Sequence, residues 1–466
     1  MPKFSFARNF GVLLAVLVFV WPVAARTDSS RSDAGRLPVI VIPGLTGSEL
    51  VNKNTGDKVW FSLSRAKDDD LRLPVTPDLK SNRDDLVPGD ILRKIQIIRF
   101  TPEIEIYQKL IESLEKDGYS EGKIDEPPET GDADTFYIFS YDWRLDNVEN
   151  SHILLEKMDR IRAKLKRPDL RFNVIAHSMG GLIARYAAMY GRADLSTGKM
   201  RPVWKGSSYF KSISMIGTPN GGSISALSSL IHGFSLFGVG RINIPFIRNL
   251  SKFDLFTIPS IYQLLPHDGQ IRAFDENLKP VKIDIYDPAN WEEFSWTAYS
   301  DRKFGDEFNV AGQKNARAYF RAVLLRAKLF QAALSVEPGR KNAVPIYYLG
   351  AECKPTLDGV VIYKDRQTKL WKTIFDLEEF TKLSAGKFTK AEIEKIFYSP
   401  GDGVVSRSSL TAHRPKEGQT TIVCGDHNRL AGQAEIDESL RGILNLPEQE
   451  PDEKNPNKAV KAKDFN

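Results

Sequence analysis

Phe172-Asn173-Val174-Ile175-Ala176-His177-Ser178-Met179-Gly180-Gly181-Leu182-Ile183 is the stretch on which the reading of the fold turns. An apolar run of strand length ends at His177, and Leu182, Ile183, Tyr186 and Ala187 then recur with helical spacing. A chain that passes from strand to helix at a single residue turns sharply. Such a turn strains the backbone at its apex and leaves no room for large side chains two positions either side. Ala176 and Gly180 meet that demand. Ser178 would stand at the apex, at the positive end of the helix, where a developing negative charge is favoured. A serine between small residues occurs by chance in any long chain. The strand before it and the amphipathic helix behind it mark this one as a nucleophile rather than an ordinary turn residue.

A serine hydroxyl attacks poorly until a base takes its proton, so a histidine and an orienting acid are required. In strand–elbow–helix architectures they follow the serine in the order acid, then histidine. Of the six histidines, His152, His232 and His267 precede any plausible acid, and His177 adjoins the nucleophile and is expected to face elsewhere. His413 and His427 remain. His427 follows the run Thr420 to Cys424, where a last strand delivers its base, whereas His413 precedes that run. His427 is therefore the expected base. Asp402, in Ser399-Pro400-Gly401-Asp402-Gly403-Val404-Val405, is the expected acid, although an Asp-Gly pair also suits a plain turn. Asp426 is the alternative acid, awkwardly adjacent to His427. After the first apolar run, Pro43-Gly44-Leu45-Thr46-Gly47 lets the backbone turn inward, so the N–H groups of Leu45 and Met179 are expected to form an oxyanion hole.

Working outward, short β-branched or aromatic runs recur at Leu37 to Ile42, Tyr137 to Tyr141, Phe172 to His177, Ser212 to Gly217, Pro345 to Gly350 and Thr420 to Cys424. Helical patterns separate them: Ile104, Tyr107, Leu110, Ile111 and Leu114 ending at Gly118, then Ile153, Leu154, Met158, Ile161 and Leu165. The alternation predicts an α/β fold with a mostly parallel central sheet and flanking helices. Two stretches break the rhythm, about 51–90 and 223–342, and are read as lid or cap insertions in a single domain spanning 26–446. Residues 447–466, rich in Pro, Lys, Glu and Asn, are expected to be a disordered tail.

Residues 1–25 carry Lys3 and Arg8, an apolar run from Val12 to Trp21, then Pro22 and a small-residue ending at Ala24 and Ala25. This predicts a cleaved signal peptide and an exported protein, secreted or periplasmic, with an uncleaved anchor as the alternative. The 65 basic and 60 acidic residues leave a net charge of +5, with no basic stripe interleaved with aromatics, so a nucleic-acid partner is not expected. No Gly-rich loop ends in Lys-Ser or Lys-Thr, Gly238-Val239-Gly240 lacks a third glycine, and no cofactor or metal is called for. Cys353 and Cys424 are too few for a disulfide framework and wrongly spaced for zinc; export makes a single disulfide permissible.

These residues resemble the lecithin:cholesterol acyltransferase family, which includes lysosomal phospholipase A2 and the phospholipid:diacylglycerol acyltransferases, on the α/β-hydrolase fold. The resemblance runs through Pro43-Gly44-Leu45-Thr46-Gly47-Ser48-Glu49-Leu50, Tyr141-Asp142-Trp143-Arg144-Leu145, the Ser178 elbow, Gly217-Thr218-Pro219-Asn220-Gly221-Gly222-Ser223, Gly401-Asp402-Gly403-Val404-Val405 and Asp426-His427. It implies the triad roles for Ser178, Asp402 and His427, the oxyanion roles for Leu45 and Met179, and a disulfide between Cys353 and Cys424 at neighbouring strand ends. It also implies lipid acyl esters as substrates, a lipid or membrane surface as a peripheral partner, and an acceptor alcohol or water. Two departures stand out: Ala176 replaces the usual glycine, and the family's N-terminal disulfide-bounded membrane loop has no cysteines here. Trp60 and Phe61 occupy that region, as lipid contacts or as core aromatics. A carboxylesterase or triacylglycerol lipase, a silent lipid-binding protein of the same fold and a peptidase are the competing readings; the intact Ser, Asp and His weigh against the silent protein, and no amine-binding or acidic pocket supports the peptidase.

Overall fold

In a strand, successive side chains point to opposite faces, so a run that is apolar throughout has to be covered on both sides. Val39, Ile40, Val41 and Ile42 are all buried in the computed structural model, which describes residues 1, 35–62, 70–95, 104–198, 200–234, 250–267, 271–336 and 344–447. All but Met1 of the expected signal peptide and all but Pro447 of the expected tail lie outside the described residues. From Arg36 onward the chain forms one unit. Its centre is a sheet of β1 (Val39–Ile42), β2 (Ser120–Gly122), β3 (Thr135–Ile138), β4 (Phe172–His177), β5 (Phe210–Ile216), β6 (Ile346–Ala351) and β7 (Thr420–Val423), in the order β7-β6-β5-β4-β1-β3-β2. Every neighbouring pair is parallel.

The two faces of β1 lead to different layers. Val39 and Val41 join Ile175, Ile216 and Leu349 under α1 (Gln108–Lys116) and the C-terminal helix Ala434–Leu444, while Ile40 and Ile42 join Val174 and Met215 under α2 (Asn147–Lys164) and α3 (Met179–Tyr190). Each such residue contributes roughly 1.5–3 kcal/mol on full burial. Asp146 caps α2, accepting from Val148 N–H at 2.7 Å. Helix α3 is buried at every residue, which its Gly180, Gly181, Ala184, Ala187 and Ala188 permit between the sheet and the long helix Val310–Leu334.

Three stretches depart from the sequence reading. Ile104–Glu105, expected to begin α1, pairs instead with Lys94–Ile95. The polar region after Val51 holds a three-stranded antiparallel sheet of Ser48–Asn52, Lys58–Trp60 and Leu86–Ile91. Among the described residues of 223–342, which are mostly helical, Arg272–Phe274 forms a strand because Gly359–Lys364, far along the chain, supplies its parallel partner, and Pro280–Val281 then pairs antiparallel with Arg272–Phe274. Pairing over such distances leaves no local periodicity to read. Among the described residues no helix is long and apolar enough to cross a membrane.

Candidate active site

Ser178, Asp402 and His427 gather at the carboxyl edge of the parallel sheet, where open α/β sheets place their ligands. Ser178 follows β4 with φ 53° and ψ −124°, a conformation that costs a non-glycine residue about 1–3 kcal/mol. Its N–H donates to Ile216 C=O at 2.8 Å and its C=O accepts from Gly181 N–H at 3.1 Å. A Cβ on Gly180 would lie 2.6 Å from the Pro43 carbonyl oxygen, and one on Gly44 2.8 Å from Ser178 Cβ. The elbow and the loop after β1 thus touch backbone to backbone.

His427, just beyond β7, reaches Ser178 Oγ with Nε2 at 3.0 Å and Asp402 Oδ2 with Nδ1 at 2.7 Å. Asp402 Oδ1 accepts from the N–H groups of Val404 and Val405, at 2.9 and 2.7 Å, which fixes the carboxylate plane. A carboxylate only accepts, so His427 Nδ1 carries the proton and Nε2 is left to accept from the Ser178 hydroxyl. All three side chains are buried. Gly217, after β5, has φ +58°, and a Cβ there would lie 3.1 Å from Asp402 Oδ2 and from the His427 ring. That glycine lets the pair close over the strand end.

The loop Gly44–Gly47 is pinned by three aromatic residues. Tyr141 Oη donates to Pro43 C=O at 2.9 Å, Gly44 N–H donates to Tyr107 Oη at 2.9 Å, and Trp60 Nε1 donates to Thr46 C=O at 2.9 Å. Gly47 N–H closes the turn on Gly44 C=O at 3.1 Å. Leu45 lines the cavity beside Ser178. Met179 is the first residue of α3, so its N–H is among those with no intrahelical acceptor.

The remaining candidates take no part in the Asp402–His427–Ser178 line. Asp426 pairs with Lys354 at 3.4 Å. His413 sits beside Arg185 and His267, and burial pushes its pKa down to about 2. Trp60 packs edge-on against Trp143 at 5.4 Å in the core. Arg144, in the Tyr141-Asp142-Trp143-Arg144 block, is buried between Asp84 and Asp142, at 2.5 and 2.8 Å. Cys353 and Cys424 form a disulfide, with Cα atoms 5.2 Å apart, just past the ends of β6 and β7. No cluster of acidic, His or Cys side chains suited to a metal occurs among the described residues.

His177 does not face away from the site. Its Nδ1 lies 2.8 Å from Tyr107 Oη and its Nε2 3.0 Å from His427 C=O. Burial, with His427 as a lesser cause, pushes its pKa down to about 3, so the ring is neutral. Tyr107, the residue just before α1, continues its apolar repeat, and periodicity assigns such a residue to the core. Its spacing carries no signal for the polar end of its ring.

The cavity above Ser178 measures about 570 Å³ and is walled by apolar side chains, among them Leu45, Leu92, Ile95, Ile104, Ile106 and Leu264. Asp426 and Arg429 are its exposed charged residues.

A parallel sheet with a strained serine between strand and helix, and a histidine after the last strand, defines an α/β-hydrolase fold. Over residues 58–321, more than half its length, the chain matches the sequence profile of lecithin:cholesterol acyltransferase, and it belongs to that family. It is accordingly an enzyme of lipid esters, acting by hydrolysis or acyl transfer. The matched segment includes Ser178 and stops before Asp402 and His427. No curated protein sequence matches the chain. Among solved structures it is similar to the Tle4–Tli4 complex, with TM-score 0.50 and 14% identity over 88% of this chain and 98% of that one. It is similar also to the Bacillus licheniformis lipase BlEst2 in mature form, at TM-score 0.34 and 11% identity over 88% and 92%. EstA from Clostridium botulinum gives TM-score 0.31 and 13% identity over 88% and 87%. At these identities the first likeness speaks to the fold alone.

Proposed function

We propose that the protein is a serine-dependent phospholipase or O-acyltransferase that works through an acyl-enzyme at Ser178. The hydrogen-bonded line Asp402–His427–Ser178 at the floor of an apolar cavity carries this reading. His427 Nε2 takes the Ser178 proton as Oγ adds to the ester carbonyl, and the N–H groups of Leu45 and Met179 receive the oxyanion. Collapse expels the alcohol, which leaves with the proton from His427, and the acyl group stays on Oγ. Water or a second alcohol, deprotonated by the same histidine, then adds to the acyl carbonyl and frees Ser178. Asp402 holds the His427 tautomer that accepts, and stabilises the imidazolium that forms. The apolar walls suit an acyl chain, and export through the N-terminal leader would place the enzyme at a lipid surface outside the cytoplasm.

Hydrolysis and transfer share every one of these groups and divide at the second step. The deciding experiment supplies a phospholipid with a radiolabelled acyl chain, with and without a sterol or diacylglycerol, and follows free fatty acid and new ester separately. Ser178→Ala is expected to lower both by on the order of 10⁴-fold or more. Undiminished turnover in that variant would refute the serine mechanism.

A further inference from the structure

Gly44, Tyr107, His177 and His427 form one buried polar chain that runs around Ser178 without touching the reacting atoms. Its direction is fixed by what each atom can do. The His427 carbonyl only accepts, so His177 Nε2 carries the proton; in the neutral ring Nδ1 then accepts, and Tyr107 Oη donates to it. The same oxygen accepts from Gly44 N–H, at 2.9 Å. Each donor and acceptor along the line is used, and reversing any member leaves one orphaned. The Tyr107 and His177 rings meet edge-on at 5.6 Å, and those of His177 and His427 lie 4.8 Å apart. A Cβ on Gly47 would come within 2.9 Å of Tyr107 Oη, so the phenol sits directly beneath the loop that carries Leu45.

The two ends of this chain are the two halves of the site that have to agree in position. One end sets the Pro43–Gly44 peptide, one residue before the expected oxyanion donor Leu45. The other end sets the backbone of His427. β1 and β7 carry these ends from opposite parts of the sheet, with β4, β5 and β6 between them, so the sheet ladder does not join them directly. We propose that Tyr107 and His177 are positioning residues that hold the oxyanion loop and the His427 backbone in register across Ser178. This rests on Ser178 being the nucleophile. A displacement of about 1 Å in such an arrangement costs on the order of 100-fold in rate, whereas ground-state binding in the apolar cavity is insensitive to it.

The test uses the purified full chain and four single variants, Tyr107→Phe, His177→Leu, His177→Gln and Ser178→Ala. The readouts are kcat and KM for p-nitrophenyl decanoate, the rate of covalent labelling by diethyl p-nitrophenyl phosphate, and the melting temperature. Tyr107→Phe and His177→Leu are expected to lower kcat and labelling about 10- to 100-fold with KM changed less than about threefold. The amide of His177→Gln can donate at Nε2 and accept at Oε1, so this variant is expected to recover most of that loss while His177→Leu does not. The double variant Tyr107→Phe with His177→Leu is expected to match the worse single one, because one break already severs the line. A folded Tyr107→Phe protein with parental kcat, or His177→Gln no better than His177→Leu, overturns the proposal. Turnover and labelling that survive Ser178→Ala overturn instead the assignment on which it rests.

Discussion

The elbow around Ser178 and the two loops that bring Asp402 and His427 meet at one point but are held there by different forces. Strand β4 and helix α3 are buried at every residue, and a Cβ on Gly180 would run into the Pro43 backbone. Close packing holds the Ser178 side. On the other side Cys353, Cys424, Asp426 and Arg429 are exposed, and polar links do the holding. His427 N–H donates to Asp402 C=O at 2.9 Å, Gly403 N–H donates to Thr356 Oγ1 at 2.9 Å, and Asp402 N–H donates to Val405 C=O at 3.2 Å. The Cys353–Cys424 bridge then ties the strand Lys354–Leu357, partner of the Tyr398–Gly401 strand before Asp402, to the end of β7 before His427. A site assembled this way is expected to fail in two distinguishable manners, by loss of folding on one side and by loss of alignment on the other.

The sharpest separation comes from Asp402→Asn. Asn Oδ1 can still accept from Val404 and Val405, so the loop keeps its shape. The amide nitrogen, however, faces His427 Nδ1 as a donor and favours the tautomer that cannot accept from Ser178. Ester hydrolysis by this variant is expected to fall on the order of 10³- to 10⁴-fold with a melting temperature near the parent's. A parallel collapse of the melting temperature would place Asp402 in folding rather than alignment.

Removing the crosslink comes next. The Cys353–Cys424 bridge closes a span of 71 residues that contains Asp402. Reduction, or the paired change Cys353→Ser and Cys424→Ser, is expected to lower the unfolding free energy by about 2–4 kcal/mol in urea titrations. In native buffer kcat should drop as well, since the bridge anchors both partner loops. Unchanged kcat would mean that the hydrogen bonds alone align them.

Two glycines give a matched pair. Gly180→Ala sets a Cβ against backbone at 2.6 Å and is expected to cost about 1–3 kcal/mol, together with most of the activity, because the elbow has to shift. Gly403→Ala meets nothing within 4 Å and carries only the strain of φ +93°, about 1 kcal/mol, with activity largely kept. Equal activity losses at the two sites would erase the distinction between a packed half and a bonded half.

The packed half was the half legible in the sequence. Ala176 and Gly180 flanking Ser178, and the apolar strands on either side, are local consequences of local residues, so the elbow and the parallel sheet follow from spacing and size. Chain order alone points to Asp402 and His427. Spacing says nothing about an atom whose partner is remote. Tyr107 obeys the helical repeat of α1 and looks like core, and His177 was expected to face elsewhere, yet the partner of each becomes visible only when β1, α1 and the His427 loop are brought together. The pairing of Arg272–Phe274 with Gly359–Val361 escaped for the same reason. Side-chain polarity hidden inside an apolar pattern, and strands whose partner lies far along the chain, leave no periodic trace.

The smallest expected effect concerns pH and falls on the seam between the two halves. His177 is neutral in the folded protein, with its pKa pushed by burial to about 3, and in the unfolded chain it titrates near the ordinary value of about 6.5. Between those values the unfolded chain binds a proton that the folded one refuses, so stability rises with pH across that window. The contribution is present in full above about pH 6.5 and is lost as pH falls towards 3. His413, pushed down to about 2, adds a loss in the same direction, as do carboxylates such as Asp194 and Asp301 that their Lys and Arg partners hold below their ordinary range. The parent curve alone therefore does not isolate His177. His177→Gln does, because the amide keeps both hydrogen bonds and has no proton to gain. Urea midpoints measured from pH 7 to pH 4 are expected to fall less steeply in the variant. One group accounts for at most about 1.4 kcal/mol per pH unit, a slope that difference measurements resolve. Parallel curves would mean that the His177 ring is free to take a proton without leaving Tyr107 and His427, and the seam would then be looser than its distances imply.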